Sequence, residues 1–179
     1  RALSASVMSE LTAVITNHQQ RHKTTSIRHA DLKILAIKTF AQSTLITNLA
    51  SQYITGPPQL VRAIMFDKNP EENWSVTWHQ DKTIAVNQKR DIAGWGPWSI
   101  KEGIHHVQPD FALLNNCITL RCHLDDTNSD NGCLQVIPKS HQQIWSSEEI
   151  QTITAEQSPI ECEANAGDIL LMRPLLLHA

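Results

Sequence analysis

His79 and Asp81 stand two residues apart in the stretch Trp74-Ser75-Val76-Thr77-Trp78-His79-Gln80-Asp81, whose residues alternate in the manner of a strand. On a strand, residues i and i+2 share a face, so this imidazole and this carboxylate project side by side and can reach one cation. A second histidine from a distant strand would complete a facial triad, the donor set of mononuclear non-haem iron(II) centres. Such a triad leaves positions open for a cosubstrate and dioxygen. His178, at the end of the apolar run Leu175-Leu176-Leu177, is the candidate third ligand. With nine histidines and eighteen acidic residues in the chain, a chance His-x-Asp is not rare. Spacing alone therefore leaves open a plain hydrogen-bonded strand pair.

The elements that would position these residues follow from periodicity. Residues 1–55 lack Gly and Pro, and Leu32, Leu35, Ala36, Phe40, Leu45, Ile46 and Leu49 recur at roughly helical spacing, which predicts a helical region over 1–58. The polar run 19–25 reads as a loop between two helices, and the histidines around it, His18, His22 and His29, as surface residues. Gly56-Pro57-Pro58 ends the pattern, because two prolines remove donors and fix the backbone. From there the period is two, and strands are expected at 60–66, 74–79, 83–87, 118–124, 134–137, 160–164, 169–172 and 175–178. Turns are expected at Asn69-Pro70, Ser129-Asp130-Asn131-Gly132, Pro138 and Ala166-Gly167-Asp168. Ser146-Ser147-Glu148-Glu149 has the form of a capping box and predicts one short helix after Trp145. The stretch 89–110, with its glycines, prolines, Trp95, Trp98 and the pair His105-His106, suits a folded covering loop better than a strand. The overall expectation is a mainly β jelly roll over 59–179 with helices before it.

Composition bounds the function classes. A chain of 179 residues with 41% hydrophobic side chains buries one core. Its 18% charged residues, net charge of -3 and lack of a Lys/Arg run exclude the electrostatic footprint of a nucleic-acid binder. No apolar stretch is long enough to span a membrane. Cys117, Cys122, Cys133 and Cys162 form no CxxC pair and are too few for a disulfide scaffold, so they read as small buried hydrophobes in a reducing, cytoplasmic setting. Oligomeric state leaves no trace.

Five segments then carry a resemblance. Arg62-Ala63-Ile64-Met65-Phe66-Asp67-Lys68, Trp78-His79-Gln80-Asp81, Asn131-Gly132-Cys133-Leu134, Val136-Ile137-Pro138-Lys139-Ser140-His141 and Ala166-Gly167-Asp168-Ile169-Leu170-Leu171, in this order, resemble the phytanoyl-CoA dioxygenase family. The resemblance implies a double-stranded β-helix with the N-terminal helices packed on its larger sheet. It also implies Fe(II) held by His79, Asp81 and His178, with 2-oxoglutarate as cosubstrate and O2 as oxidant. The implied reaction hydroxylates an unactivated carbon of a small organic or acyl substrate and releases succinate and CO2. Halogenases similar to this family lack the carboxylate, so Asp81 argues for hydroxylation.

The arginine that grips the far carboxylate of 2-oxoglutarate in the family is expected beyond Ala179, which makes the chain read as a C-terminally truncated fragment. Arg121, on the strand face of Thr119 and His123, is a candidate cosubstrate contact or else an ion-pair partner of Asp125 or Asp126. Arg62, alternating with Leu60 and Ile64, is a candidate contact for cosubstrate or substrate. Lys139 stands where the family commonly has glycine, and His141 reads as a structural hydrogen-bonding residue. Trp95 and Trp98 are placed to wall the site from water. A zinc-dependent hydrolase and an inactive jelly-roll binding module are the competing readings.

Overall fold

The computed structural model describes residues 1–67 and 76–179. The expected Asn69-Pro70 turn and the start of the expected strand at 74–79 lie outside the described residues. In chain order the elements are α1 (Ala5–His22), β1 (Ser26–Ile27), α2 (Ala30–Lys33), α3 (Leu35–Ala41), α4 (Thr44–Ser51), β2 (Met65–Phe66), β3 (Ile84–Val86), β4 (Trp98–Lys101), β5 (Ile104–Val107), α5 (Phe111–Asn115), β6 (Thr119–Cys122), β7 (Leu134–Val136), α6 (Ser147–Glu156), β8 (Ile160–Cys162) and β9 (Ile169–Met172). The architecture is mixed α and β with several small antiparallel sheets, which corrects the expectation of a mainly β chain. The chain divides into two compact units, one of 1–75, 120–127 and 164–170, the other of 76–119, 128–163 and 171–179.

In the first unit, α1 starts where the Ser4 hydroxyl accepts from the Val7 N–H at 3.3 Å, and it ends at Lys23 in the left-handed region (φ 49°). It runs through most of the stretch expected as a loop, because Gln and Arg are good helix formers and no Gly or Pro interrupts them. Their polarity marks an exposed helix face instead. Leu11 and Ile15 on the other face pack with Ile27, Ala30, Ile34 and Ile37 into the buried core of this unit. β1 pairs with β2 antiparallel, Ile27 opposite Met65.

The strand expected at 60–66 is a strand only at its last two residues. Its earlier part is held to α2, with the Ala63 N–H on the Asp31 carboxylate at 2.7 Å and the Ala63 carbonyl accepting from the Ala30 N–H at 2.8 Å. Those side-chain and helix-end partners take the backbone groups that a ladder would have used.

In the second unit, β3, β5 and β4 form a three-stranded sheet in that order. Two of these strands fall in the stretch expected as a covering loop. Glycines concentrate at its turns, Gly94 and Gly103 both having positive φ, while Trp98-Ser99-Ile100-Lys101 and Ile104-His105-His106-Val107 make the hairpin. A further antiparallel ladder joins, in order, the segment at His79, the segment at His178, β7 and β8. The expected capping box is present: the Glu149 N–H donates to the Ser146 hydroxyl at 3.2 Å and the Ser146 N–H to the Glu149 carboxylate at 2.7 Å, opening α6.

Gly167, in the expected turn of the first unit, has φ +91°, and a Cβ there would lie 3.0 Å from the Met8 sulfur and 3.2 Å from the Leu3 carbonyl oxygen. That carbonyl belongs to a segment tied down by the Ala2 and Leu3 N–H groups, which donate to the Gly167 oxygen at 2.8 and 2.9 Å. Gly167→Ala is expected to destabilise the fold by about 1–3 kcal/mol through backbone strain and crowding, read as a lowered urea midpoint with an unchanged m-value.

Candidate metal centre

The segments at His79 and His178 face each other as a hydrogen-bonded antiparallel pair. The His79 N–H donates to the His178 carbonyl at 3.0 Å, and the His178 N–H to the His79 carbonyl at 3.1 Å. Directly opposed residues of an antiparallel pair project to the same side, so the two rings meet, with centroids 4.2 Å apart and planes inclined at 52°. His178 is also bridged to Val136 on its other flank, and the Ile137 N–H donates to the Leu177 carbonyl at 3.0 Å. The second histidine is thus held on both sides, and it is buried.

Each ring is oriented in the same way by a carbonyl two residues before it. His79 Nδ1 lies 2.8 Å from the Thr77 carbonyl oxygen, and His178 Nδ1 lies 2.7 Å from that of Leu176. A carbonyl oxygen can only accept, so Nδ1 carries a proton in both rings, and the tautomer this selects has its lone pair on Nε2. An N–H held by a carbonyl on the far side of the ring is the usual support of a metal-ligating histidine. Asp81 follows on the His79 segment, its N–H donating to the Pro174 carbonyl at 2.8 Å. Among the described residues, no three His, Cys, Asp or Glu side chains come together closely enough to hold a metal ion. Of the expected triad, the structure brings the two histidines together and sets Asp81 two residues along the same segment. Two imidazoles and one carboxylate are the donor types that a divalent iron accepts, and here the carboxylate lies two residues along the His79 segment.

Gln80, which sequence reasoning passed over as the spacer between His79 and Asp81, holds this arrangement from behind. Its side chain is buried and makes three hydrogen bonds: the amide nitrogen donates to the carbonyls of Gln143 at 2.8 Å and Leu175 at 2.6 Å, and the amide oxygen accepts from the Trp145 N–H at 2.9 Å. Lys82 adds a bond from Nζ to the Trp145 carbonyl at 2.6 Å. Trp145 in turn donates its indole N–H to the Ser140 carbonyl at 2.7 Å, and the Ser140 hydroxyl accepts from the Leu177 N–H at 2.8 Å. This network ties both histidine-bearing segments to one loop. In the Pro-Lys-Ser-His motif the structural bonds fall to Ser140, where the sequence pointed to His141. An amide side chain, with both donor and acceptor, between two candidate ligands was the available signal for Gln80, and the spacer position hid it.

The other expected residues are described within their own units. Arg62 and Arg121 belong to the first unit. Arg62 sits on irregular chain before β2, so the strand alternation that recommended it does not apply. Arg121 is on β6 beside His123, whose imidazole is buried, with Nδ1 3.3 Å from the Thr127 hydroxyl and Nε2 without a hydrogen bond. Burial, and then the Arg121 charge, hold the His123 pKa below its ordinary value against the opposing pull of Asp168. His106 is fully buried on β5, and Trp98 on β4 lies under Lys89, whose Nζ is 5.8 Å from the ring centroid. The four cysteines form no disulfide among the described residues, and burial pushes the Cys122 thiol up to about 11, as expected of a packing residue and not a nucleophile.

Comparison with known proteins adds the following. The family model described as phytanoyl-CoA dioxygenase (PhyH) matches residues 1–179. Among solved structures, AviO1 from Streptomyces viridochromogenes Tue57 is similar over 99% of this chain and 77% of its own, with a TM-score of 0.71 at 17% sequence identity, which shows a shared fold. No curated protein sequence matches.

Gln80→Leu removes one side chain and leaves two carbonyls and one N–H without their partners. The expected cost is about 3 kcal/mol, read as a Tm lowered by roughly 6–12 °C. Gln143→Ala, which changes a side chain but keeps the accepting carbonyl, is expected to leave Tm within about 2 °C of the parent.

Proposed function

The chain belongs to the phytanoyl-CoA dioxygenase family, and from that premise we propose that it is an iron(II)- and 2-oxoglutarate-dependent oxygenase. In this reading it hydroxylates an unactivated carbon of a small organic or acyl substrate, within a jelly-roll framework to which the antiparallel ladders contribute. The observation that carries the proposal is the pair of imidazoles at His79 and His178, 4.2 Å apart, with both Nδ1 atoms committed to carbonyls. When bound, iron(II) with 2-oxoglutarate and O2 would supply the oxidising power, with succinate and CO2 as coproducts.

The rest is the work of this chain's own side chains. His79 and His178 would hold the metal through Nε2, and Asp81 would add the carboxylate. The Thr77 and Leu176 carbonyls select the Nδ1–H tautomer of each ring, which leaves Nε2 as the ligand atom. Gln80, through Leu175 and Trp145, keeps the two ligand-bearing segments in register.

The test is anaerobic loading of the protein with Fe(II) and 2-oxoglutarate, followed by oxygen and quantification of succinate. Iron-dependent succinate is expected, with none when zinc replaces iron. His79→Ala and His178→Ala are each expected to weaken Fe(II) binding by at least about tenfold. Succinate formation that is the same without iron, or undiminished in both variants, would overturn the assignment.

A further inference from the structure

In the first unit, the segments 123–127 and 164–168 lie side by side, and His123 sits where their pairing is irregular. The His123 N–H donates to the Asp168 carbonyl at 3.0 Å, while the His123 carbonyl accepts from the Gly167 N–H at 2.8 Å. Two residues thus oppose one, which is a β-bulge, and Gly167 with φ +91° supplies the left-handed residue that such a bulge requires. Farther along, Thr127 and Ala164 exchange two backbone bonds, at 2.8 and 2.9 Å. The bulge also holds the start of the described chain. The Gly167 carbonyl accepts from the N–H groups of Ala2 and Leu3, so the buried Leu3 and the Ser4 that caps α1 are fixed through it.

The His123 imidazole is buried. Its Nδ1 lies 3.3 Å from the Thr127 hydroxyl, and its Nε2 is buried with no hydrogen bond among the described residues. A neutral ring tolerates one unmet nitrogen at modest cost. An imidazolium carries two N–H donors and a charge, and a buried charged donor without an acceptor costs considerably more. The charged groups that face the ring are Arg121, two residues earlier on its own strand, and Asp168 from the opposite segment. Burial, and then Arg121, outweigh the attraction of Asp168 and favour the neutral ring. The Asp168 carboxylate accepts from the Asn165 N–H at 3.0 Å, which holds it below the usual carboxylate range, and lies 3.5 Å from the Arg1 amino group. It therefore stays ionised while histidine titrates. Asp126, on the same segment as His123, accepts from the Ala166 N–H at 2.7 Å.

We propose that this pairing is an acid-sensitive clasp: protonation of His123 opens the bulge and releases the segment 1–3 held on the Gly167 carbonyl. Opening admits water to Nε2 and supplies the acceptor that the closed form lacks. The closed clasp excludes a proton that the open one accepts. Its stabilising contribution is therefore complete above about pH 6.5, the ordinary histidine value, and is lost as pH falls from there through the lower value of the closed form. The opening is local. His123, Gly167 and Leu3 lie outside the cluster of Leu11, Ile15, Ile27, Ala30, Ile34 and Ile37, which stays packed.

The experiment is amide hydrogen exchange of the whole protein, followed by NMR across the histidine range and corrected for the intrinsic pH dependence of exchange. The opening constants of the Leu3 and Gly167 amides are expected to rise at least about twofold from about pH 7 to about pH 5.5, and by no more than about tenfold per pH unit, since one proton is involved. The Ile34 amide, bonded to the Ala30 carbonyl at 2.9 Å in the helical core, is expected to show no such rise. His123→Phe keeps a buried ring that cannot titrate and is expected to flatten the profile. Asp168→Asn, a change on a partly exposed side chain, removes the one attracting charge and is expected to enlarge the rise. The proposal is overturned if Leu3 and Gly167 exchange with a flat profile, if His123→Phe keeps the rise, if Asp168→Asn leaves it unchanged or smaller, or if Ile34 rises in parallel, which would mark unfolding of the whole unit.

Discussion

Two backbone hydrogen bonds, exchanged between His79 and His178 at 3.0 and 3.1 Å, determine what the second unit can do. They bring together imidazoles that are 99 residues apart in the chain, and because opposed residues share a face, they aim both rings to one side. A slip of one residue in either segment would turn one ring to the opposite face, since the side-chain period of a strand is two. Everything else near the site serves to prevent that slip. β7 flanks the His178 segment, the Ser140 hydroxyl takes the Leu177 N–H, and Gln80 spans from the His79 segment to Leu175 and to the loop at Gln143 and Trp145.

The polar network around Gln80 also explains why an amide can stand at a buried position. Burying an amide without partners costs about 1–3 kcal/mol per group, whereas here both ends of the side chain are satisfied by backbone groups that would themselves be orphaned without it. Lys139 illustrates the converse. It has φ 65°, a left-handed conformation that costs a side-chain-bearing residue about 1–2 kcal/mol, at the position where the resembling family commonly has glycine. The turn is kept at that cost because Ser140, the next residue, links Ile137, Trp145 and Leu177.

What was legible in the sequence is the part governed by local rules. The capping box at Ser146 and Glu149 and the turns at Gly132 and Gly167 rest on residue types whose preferences act over a few positions. The strand expected at 74–79 is, among the described residues, a single bridge at His79. The hairpin of β4 and β5 was hidden because tryptophan and glycine in one stretch suggest irregular chain, although the glycines sit at its turns and the strands between them are ordinary. The continuation of α1 to His22 was hidden because a polar run looks the same on an exposed helix face as in a loop. Tertiary partners decided the remaining differences. Asp31 draws Ala63 away from a ladder and so removes Arg62 from a strand, and Gln80 acquires its role only from groups 63 to 95 residues away.

The account depends on the tautomer that the Thr77 and Leu176 carbonyls impose on the two histidines. Long-range nitrogen-15 correlation NMR of the metal-free protein, with histidine selectively labelled, measures it for each ring. Both His79 and His178 are predicted to show a protonated Nδ1 and an unprotonated Nε2, and addition of Zn(II) as a diamagnetic probe is predicted to shift Nε2 in both together. An Nε2-protonated tautomer at either residue, or a metal response at only one of them, would contradict it.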